Sequence, residues 1–361
     1  MDSQSKVSVM MPVYNGDKYI KAAIESVILQ KYQNWELIVV DDGSKDQTSS
    51  ILESFSDKRI KVIHQENQGE ATARNTALKH VEGEYLAFLD SDDMFFPEFL
   101  ESMVNFLLNN PTLDAVYCDG WYIDTNDNFL ELLSDQRRGP FHDDLFEALV
   151  RASDVFGPPT CTLIRRKIIT DNQIEFDPRI VIGPDWDFFI KVAQFSKWGY
   201  LNLKGVKYRV HQTNITLTTN TAKRLESLAL CRENAINNIR FDNCSNEVKY
   251  YSFYDLLVNI IYAQANRQND WVKSVQFRKI QKKDRAKLLR LTAAESIVKN
   301  HTNPYIKEWL QTSISLNPID LKTCLIIILT KLFPNITHKI LLMRHNSVQS
   351  ANNSPFKIDS K

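Results

Sequence analysis

The first third of the chain alternates short apolar runs with longer amphipathic stretches. The apolar runs predict strands at Val7–Val13, Trp35–Val40, Ile60–His64, Tyr85–Leu89 and Ala115–Cys118. Between them, apolar residues recur every three or four positions, which predicts helices at Lys18–Leu29, Gln47–Phe55, Glu70–His80 and Pro97–Leu108. Strands that alternate with helices in this way form a mostly parallel sheet with flanking helices. The predicted fold class is therefore α/β.

The rest of the chain changes character twice. From Asp119 to about Thr213 the pattern is mixed and rich in loops. Helical periodicity then returns at Ala222–Asn238, Val248–Asn266, Trp271–Ile297 and Tyr305–Ile314. We therefore predict a first half-domain at 1–118, a second half of the same domain at 119–215, a helical region at 216–349 and a flexible tail at 350–361.

An apolar segment near the end, Leu321–Phe333, is interrupted by Lys322 and Lys331. It is far shorter than the roughly 20 residues that a bilayer-spanning helix needs. Two alternatives stay open. The segment is either a buried helix, or a helix that lies on an anionic membrane surface with the help of Lys331, Lys339 and Arg344.

Composition narrows the class of protein further. The five cysteines are widely spaced and form no CxxC pair, which argues against a disulfide framework and a zinc site. The N-terminus lacks the pattern of a signal peptide, so we expect a cytoplasmic protein. Before Asn246 there are 26 basic and 36 acidic residues, and from Asn246 onward 18 and 8. The acidic first part argues against nucleic-acid binding, whereas the basic remainder suits either water or an anionic surface.

Acidic residues crowd the ends of two predicted strands. Asp41-Asp42-Gly43-Ser44 follows the second strand and Asp90-Ser91-Asp92-Asp93 follows the fourth. In an open α/β sheet, ligands bind at the carboxyl ends of the strands. Because crowded carboxylates need a counter-charge, the cluster predicts Mg²⁺ or Mn²⁺ that bridges to a diphosphate. An acidic turn that caps the next helix is the alternative. Neither GxGxxG after the first strand nor GxxxxGK[ST] occurs, so a dinucleotide enzyme and a P-loop NTPase are not expected.

Five segments, VSVMMPVYNG, VVDDGS, NQGEATARN, GEYLAFLDSDD and GPDWDFF, resemble the inverting family 2 glycosyltransferases with the GT-A fold. The resemblance covers roughly residues 6–215. It implies that 1–118 binds the nucleotide sugar and that 119–215 binds the acceptor. It further implies nucleotide contacts, usually to uridine, and a metal at Asp92. The nucleotide-binding residues so implied are Pro12, Tyr14, Asp42, Arg74, Asp90 and Ser91.

The same resemblance implies a catalytic base. In the family's acidic-pair motif the base stands just before an aromatic residue, which points to Asp185 in Asp185-Trp186-Asp187. Pro184 replaces the usual first acid of that pair. Asp185 as a mere helix cap and Asp187 as the base are the alternatives. A base is needed because the acceptor hydroxyl must lose its proton as it attacks.

Two later segments also bear on the reaction. Tyr208-Arg209-Val210-His211 resembles the family's YRxH segment, which implies that His211 completes the metal site or stabilises the leaving group; a structural histidine is the alternative. Gln194–Trp198 resembles the QxxRW motif of processive synthases but has lysine in place of arginine. We interpret it as coincidence, with Trp198 in the core, and expect a non-processive enzyme.

Together these observations predict an enzyme that moves a sugar from a nucleotide-diphosphate sugar, UDP favoured, to a hydroxyl of a glycan or lipid-linked acceptor. Mn²⁺ or Mg²⁺ is the expected cofactor. Cell-surface polysaccharide synthesis, in the cytoplasm or at the inner face of the cell membrane, is the expected setting. The rival hypotheses are a metal-dependent nucleotidyltransferase and a non-catalytic protein that binds nucleotide sugars. The donor sugar and the acceptor have no motif in this sequence.

Overall fold

The computed structural model of the protein describes residues 5–212, 219–299, 303–332 and 337–343. The chain forms two compact units, Met1–Ala235 and Ile236–Lys361. The boundary between them falls later than the predicted start of the helical region at 216. The predicted domain bounds stay a prediction, and the predicted tail at 350–361 lies outside the described residues.

A nine-stranded sheet forms the centre of the first unit. Its strands are β1 Val7–Val13, β2 Trp35–Asp41, β3 Ile60–His64, β4 Tyr85–Phe88, β5 Met94–Phe95, β6 Ala115–Ile123, β7 Phe129–Leu132, β8 Thr162–Arg165 and β9 Trp198–Arg209. They lie in the order β3-β2-β1-β4-β8-β6-β9-β5, and β7 pairs with β6. The helices of this unit are α1 Ile20–Ile28, α2 Thr48–Glu53, α3 Glu70–Leu78, α4 Phe99–Asn109, α5 Phe146–Arg151, α6 Arg166–Asp171, α7 Pro184–Ala193 and α8 Thr221–Asn237.

The first four strands are parallel and adjacent, as the alternating pattern predicts. β1 pairs with β2 on one side and with β4 on the other, so that Val9 lies opposite both Leu37 and Ala87. Every residue of β2 is buried, because helices cover both faces of a parallel sheet. The carboxyl ends of these strands therefore meet at one edge of the sheet.

The segment predicted as loop-rich contains more regular structure than its sequence pattern shows. β8 runs antiparallel between β4 and β6, whereas β9 runs parallel to β6. β6 extends to Ile123, well beyond the predicted end at Cys118, and its register against β9 shifts on either side of Asp119. Trp198 is fully buried, which confirms its predicted place in the core, but it begins β9 and is not on the helix that carries Asp185.

The second unit is helical, as predicted. Its helices are α9 Asn246–Tyr262, α10 Gln268–Lys273, α11 Val275–Arg278, α12 Lys282–Lys299, α13 Ile306–Leu316 and α14 Leu321–Leu332. The single helix predicted at Trp271–Ile297 is wrong, since the stretch is broken twice. Ser274 ends one helix and caps the next, because its hydroxyl accepts a hydrogen bond from the backbone N–H of Phe277.

Helix α14 corresponds to the apolar C-terminal segment, for which a buried helix and a helix on a membrane surface were the alternatives. Ile326 is buried, but Leu325 and Leu332 are more than half exposed. Most of the apolar face of α14 is thus open to solvent among the residues that the structure describes. Over the same residues, no helix has the length and apolar character that crossing a bilayer requires.

Candidate functional site

The loops that follow β1 and β2 are joined by hydrogen bonds at the carboxyl edge of the sheet. The backbone N–H of Asn15 donates to Ser44 Oγ at 2.9 Å, and Lys45 N–H donates back to Asn15 Oδ1 at 2.8 Å. Gly16 sits where a side chain has no room, because a Cβ there would lie 2.6 Å from Val13 Cγ2 and 3.4 Å from Ser91 Oγ. The ends of β1, β2 and β4 therefore lie close together at this edge.

The predicted nucleotide-binding residues of the first loop differ in exposure. Pro12 lies inside β1 opposite Val40 and is half-buried. Tyr14 is 51% exposed, so its ring is open to a planar ligand. Ser91 is half-buried beside Gly16. Their predicted nucleotide contacts stay predictions.

Asp42 is buried, and both of its carboxylate oxygens are used by the chain itself. Oδ1 accepts hydrogen bonds from Gln65 Nε2 at 2.7 Å and from Gln68 N at 2.9 Å, and Oδ2 accepts one from Gly69 N at 2.8 Å. Asp42 thus holds the loop that leads into α3. Its predicted contact with the nucleotide base remains a prediction, and the sequence pattern does not indicate that Asp42 also stabilises this loop.

Arg74 on α3 is the buried cation of the site. One of its nitrogens, Nη2, lies 2.7 Å from Asp90 Oδ1 and 2.7 Å from Glu70 Oε1. Its Nε and Nη1 atoms are buried and have no hydrogen-bond partner among the described residues. Buried donors of this kind are rare in folded proteins unless a ligand or water satisfies them. An anionic ligand that reached these two nitrogens of Arg74 would satisfy them.

Four carboxylates, those of Glu70, Asp90, Asp92 and Asp185, share this part of the site with Arg74. Burial, together with the charges of Glu70, Asp92 and Asp185, raises the pKa of Asp90 to about 7, although Arg74 opposes the shift. Burial also raises the pKa of Glu70, with smaller contributions from Asp185 and Asp92. Because the charge of Asp185 acts on Glu70, Asp90 and Arg74, Asp185 lies in the same charged cluster as these residues. The fold thus brings together residues that are almost a hundred positions apart in sequence.

Hydrogen bonds from α3 help to bring α7 to this cluster. Asn75 Nδ2 donates to Phe176 O at 2.9 Å, and Phe176 N donates to Asn75 Oδ1 at 2.8 Å. The ring of Phe176 stacks on that of Phe188 in α7, with centroids 4.0 Å apart. The segment before α7 is therefore fixed to the helix that carries Arg74.

Asp185 stands in the first turn of α7 and has a half-buried side chain. Gly183 precedes the helix with φ of +74°, a left-handed conformation that glycine adopts without strain. The carboxylate of Asp185 makes no hydrogen bond or ion pair with the residues that the structure describes. The alternative in which Asp185 only caps the helix has no such bond to support it.

The carboxylate of Asp187, the alternative base, is already paired with other side chains. Its carboxylate lies 2.6 Å from Lys191 Nζ and accepts a hydrogen bond from Asn234 Nδ2 at 2.8 Å. The side chain is buried, and burial raises the pKa of Asp187. The bond from Asn234 ties α7 to α8, and the ion pair with Lys191 lies within α7, so both contacts are structural.

Asp92 and His211 are in direct contact. His211 Nε2 lies 2.8 Å from Asp92 Oδ2, and the imidazole packs beside Tyr19 with ring centroids 5.2 Å apart. Arg209 supports the pair, since its Nε donates to the backbone oxygen of Asp92 at 3.0 Å. The two predicted metal ligands are thus adjacent.

Asp92 and His211 would give a metal ion two protein ligands, which do not make a complete coordination shell. No group of three or more histidine, cysteine or acidic residues arranged to hold a metal occurs within the described ranges. The carboxylate oxygen of Asp92 suits Mg²⁺ or Mn²⁺, and the imidazole of His211 is a common ligand of metal ions. Cations in nucleotide sites commonly take one or two protein ligands and complete their shell with phosphate oxygens and water. The residues present therefore fit a cation that is shared with a diphosphate.

Asp93 had no predicted role, and the structure gives it one. It is fully buried, accepts a hydrogen bond from Thr160 Oγ1 at 2.7 Å and another from Arg209 N at 3.0 Å. Burial, with Asp92 and Asp90 nearby, raises the pKa of Asp93 well above its ordinary value. Asp93 therefore joins the acidic loop to the end of β9 and positions Arg209.

Sequence reasoning missed Glu70 and gave Arg209 only a minor place. Glu70 stands four residues before Arg74 on one helix, a spacing that signals an ion pair. Arg209 is buried over the ring of Tyr19 and pairs with Asp127 at 2.6 Å. Its partners come from distant segments, so no local pattern could have indicated them.

Comparison with known proteins indicates the family of the chain. The family model described as Glycosyl transferase family 2 matches residues 8–172. An uncharacterised glycosyltransferase of Rickettsia typhi is 35% identical over 218 residues, which are 60% of this chain and 66% of that protein. The putative glycosyltransferase EpsH of Bacillus subtilis is 32% identical over 240 residues, 63% of this chain and 68% of EpsH.

Another relative carries a more specific name. The UDP-Glc:alpha-D-GlcNAc-diphosphoundecaprenol beta-1,3-glucosyltransferase WfgD of Escherichia coli is 49% identical over 105 residues, 29% of this chain and 42% of WfgD. The matches span 66% of the first Rickettsia relative and 33%, 30% and 33% of three others. The chain thus covers less than two thirds of the length of several relatives.

Solved structures share the fold. The S. aureus TarS 1-349 complex with UDP-GlcNAc has a TM-score of 0.56 and 20% identity, covering 86% of this chain and 89% of that one. The mannosyltransferase PcManGT of Pyrobaculum calidifontis, in complex with GDP-Man and Mn²⁺, has a TM-score of 0.53 and 18% identity, covering 89% of each chain. The family match and the relationship to EpsH show that the chain belongs to glycosyltransferase family 2, and the solved structures show that it has the GT-A fold.

Proposed function

We propose that this enzyme transfers a sugar, with inversion and one residue at a time, from a UDP-sugar to a hydroxyl of a lipid-linked glycan. The observation that carries the proposal is the cluster in which Arg74, Asp90, Asp92 and Asp185 share one charged site. It contains a cation for the diphosphate and a carboxylate for the acceptor. A nucleotidyltransferase is less well supported, because the loop after β1 carries no basic residue before Lys18.

Asp185 is the base in this proposal. Its carboxylate takes the proton of the acceptor hydroxyl while that oxygen bonds to the anomeric carbon and the bond from that carbon to the diphosphate oxygen breaks. A side chain without partners among the described residues is available for this step, whereas Asp187 is held by Lys191 and Asn234. Displacement from the opposite face inverts the anomeric configuration.

Arg74 and the Asp92–His211 pair serve the donor. The two unpartnered nitrogens of Arg74 donate to phosphate oxygens and orient the diphosphate. Asp92 and His211 would hold Mn²⁺ or Mg²⁺, which supplies positive charge that offsets the charge of the leaving diphosphate. Tyr14 offers its exposed ring to the base.

The choice of donor and acceptor draws on the relatives. TarS is described in complex with UDP-GlcNAc, and WfgD acts on a diphosphoundecaprenol-linked sugar, as their names state. We extend from them a UDP-sugar donor and a diphosphate-linked acceptor to this chain. Surface polysaccharide synthesis is the proposed setting.

Contact with the membrane belongs to the same proposal. On α14, the exposed residues Leu321, Leu325 and Leu332 lie along one helical face, and Lys322 and Lys331 flank it. An apolar face beside lysines matches the surface of an anionic bilayer. The proposed location is therefore the inner face of the cell membrane. If the protein does not bind phosphatidylglycerol vesicles and α14 variants behave like wild type, this part is wrong.

Nucleotide screening tests the enzyme proposal. Thermal unfolding is measured with UDP-, GDP- and ADP-sugars in the presence of Mn²⁺, since a ligand at 100 times its Kd stabilises a protein by about 2.7 kcal/mol. UDP-sugars should raise the Tm most, and the tightest of them should yield UDP when an acceptor is added. Stabilisation by GDP- or ADP-sugars alone contradicts the UDP assignment, and no UDP release from any UDP-sugar contradicts the proposed reaction.

A further inference from the structure

A cluster of aromatic rings and lysines lies on the sheet beside the candidate site. We call it the aromatic–lysine platform, and its members are Phe96, Trp121, Phe129, Lys204 and Lys207. Lys207 Nζ lies 5.1 Å from the ring centroid of Phe96 and 5.4 Å from that of Phe129, and Lys204 Nζ lies 5.5 Å from that of Trp121. The rings also contact one another, with 5.4 Å between the centroids of Trp121 and Phe129.

This platform faces solvent and carries uncompensated charge. Phe129 is 52% exposed and Lys204 is exposed, whereas Phe96, Trp121 and Lys207 are half-buried. Within the described part of the chain, neither lysine forms an ion pair with a carboxylate. Isolated exposed aromatic residues are common, but a contiguous exposed cluster usually marks an interaction site. The platform thus combines aromatic rings with two lysines that contact those rings and have no carboxylate partner within the described part of the chain.

The platform adjoins the acidic loop. Met94 in β5 pairs with Lys207 in β9, and Phe96 N donates to Gly205 O at 2.9 Å. Lys207 is two residues before Arg209, whose Nε donates to the backbone oxygen of Asp92. Since a strand rises about 3.3 Å per residue, the Cα atoms of Lys207 and Arg209 are about 7 Å apart. A ligand on the platform would therefore lie beside the end of β9 that carries Arg209.

Two chemical features of the platform select its ligand. The C–H-rich face of a sugar ring packs on an aromatic face, which carries partial negative charge. Lysine ammonium groups bind phosphate oxygens as point charges. We propose that the aromatic–lysine platform binds the acceptor, and that the acceptor is a saccharide linked through a diphosphate. This inference rests on the proposed function and assigns the acceptor a site separate from Arg74 and Asp92.

N-acetylglucosamine 1-phosphate is a soluble probe for this site, with N-acetylglucosamine as its neutral counterpart. Binding is measured by saturation-transfer NMR titration with UDP and Mn²⁺ in excess, so that the donor site is filled. The variants are Phe129→Ala and the double variant Lys204→Ala/Lys207→Ala. Leu130→Ala, a 56% exposed neighbour on the same strand, and Lys61→Ala, an exposed lysine on the edge strand β3, are the matched controls. Thermal unfolding of each variant verifies that it is folded.

We expect the wild type and both controls to bind the sugar phosphate equally. The double lysine variant should bind it about tenfold more weakly, a difference of 1.4 kcal/mol, and should bind the neutral sugar as the wild type does. Phe129→Ala should weaken the binding of both the sugar phosphate and the neutral sugar. Equal binding by all variants, or no binding of the sugar phosphate by wild type, overturns the proposal. UDP binding is recorded on the same samples, so a failure of the proposed function appears separately as loss of UDP binding by the wild type.

Discussion

Replacing Asp42 by alanine separates two roles for this residue, a contact with the nucleotide base and support of the loop before α3. The substitution removes three hydrogen bonds of 2.7, 2.9 and 2.8 Å and leaves the backbone N–H groups of Gln68 and Gly69 without their acceptor. An unsatisfied buried donor costs about 1–3 kcal/mol. Because Gln68 and Gly69 are exposed, water replaces part of the loss, and we expect about 2–3 kcal/mol in total.

Thermal unfolding followed by circular dichroism measures this effect. For a domain of this size, 1 kcal/mol corresponds to about 2–4 °C in Tm, so Asp42→Ala should lower the Tm by about 4–12 °C. Asp42→Asn keeps one acceptor oxygen, so its Tm should lie between those of Asp42→Ala and the wild type. Glu66→Gln, an exposed acid in the same loop, should change the Tm little.

The competing role has a different signature. If Asp42 served only the base, Asp42→Ala would unfold at the wild-type temperature and lose UDP affinity in calorimetry. That result would refute the reasoning from the loop. The account instead predicts a loss of stability even without nucleotide, with weaker UDP binding as a consequence, because the loop places the helix that carries Arg74.

Three further predictions follow from the site and its surroundings. Arg74→Met should weaken UDP binding at least about tenfold in calorimetry, since even one lost hydrogen bond to a charged group is worth about 1.5–3 kcal/mol, and unchanged affinity would refute the diphosphate role. Arg179 and Asn234 lower the pKa of Asp177 below its ordinary value of 3.8, so ionised Asp177 stabilises the fold above that pH and this stabilisation is lost on further acidification. The Tm difference between wild type and Asp177→Asn should therefore shrink from pH 7 to pH 3, and a constant difference would contradict this. Removal of divalent cations with EDTA should abolish sugar transfer and added Mn²⁺ should restore it, whereas transfer at the full rate in EDTA would rule out the metal.

Much of the first half-domain follows from local patterns. The parallel strands are apolar runs bounded by polar turns, so their positions and their shared carboxyl edge are predictable from period and spacing. The family segments then indicate which of the strand-end residues to examine. The structure adds that Arg74, Asp90 and Asp185 form one cluster.

What the sequence could not indicate depends on contacts between distant segments. Asp93 is read as one more acid in a run, yet its partners Thr160 and Arg209 lie 67 and 116 positions away. The aromatic–lysine platform likewise draws its residues from β6, β7 and β9 and from the segment just after β5, which only the register of the sheet brings together. The single helix predicted at Trp271–Ile297 is wrong for a local reason. Helical periodicity continues through Ser274, so the pattern does not reveal that Ser274 caps a new helix.

The most direct test of the central claim compares Asp185→Asn with Asp187→Asn. Both remove one negative charge from the first turn of α7, but only Asp187 is tied to Lys191 and Asn234. UDP-sugar binding is measured by calorimetry, and sugar transfer at saturating donor is measured below the Tm of each variant. The account predicts that Asp185→Asn binds the donor and loses about 100-fold or more in transfer rate, the usual contribution of a general base. It also predicts that Asp187→Asn lowers the Tm and retains transfer. Full transfer activity in Asp185→Asn would contradict the account.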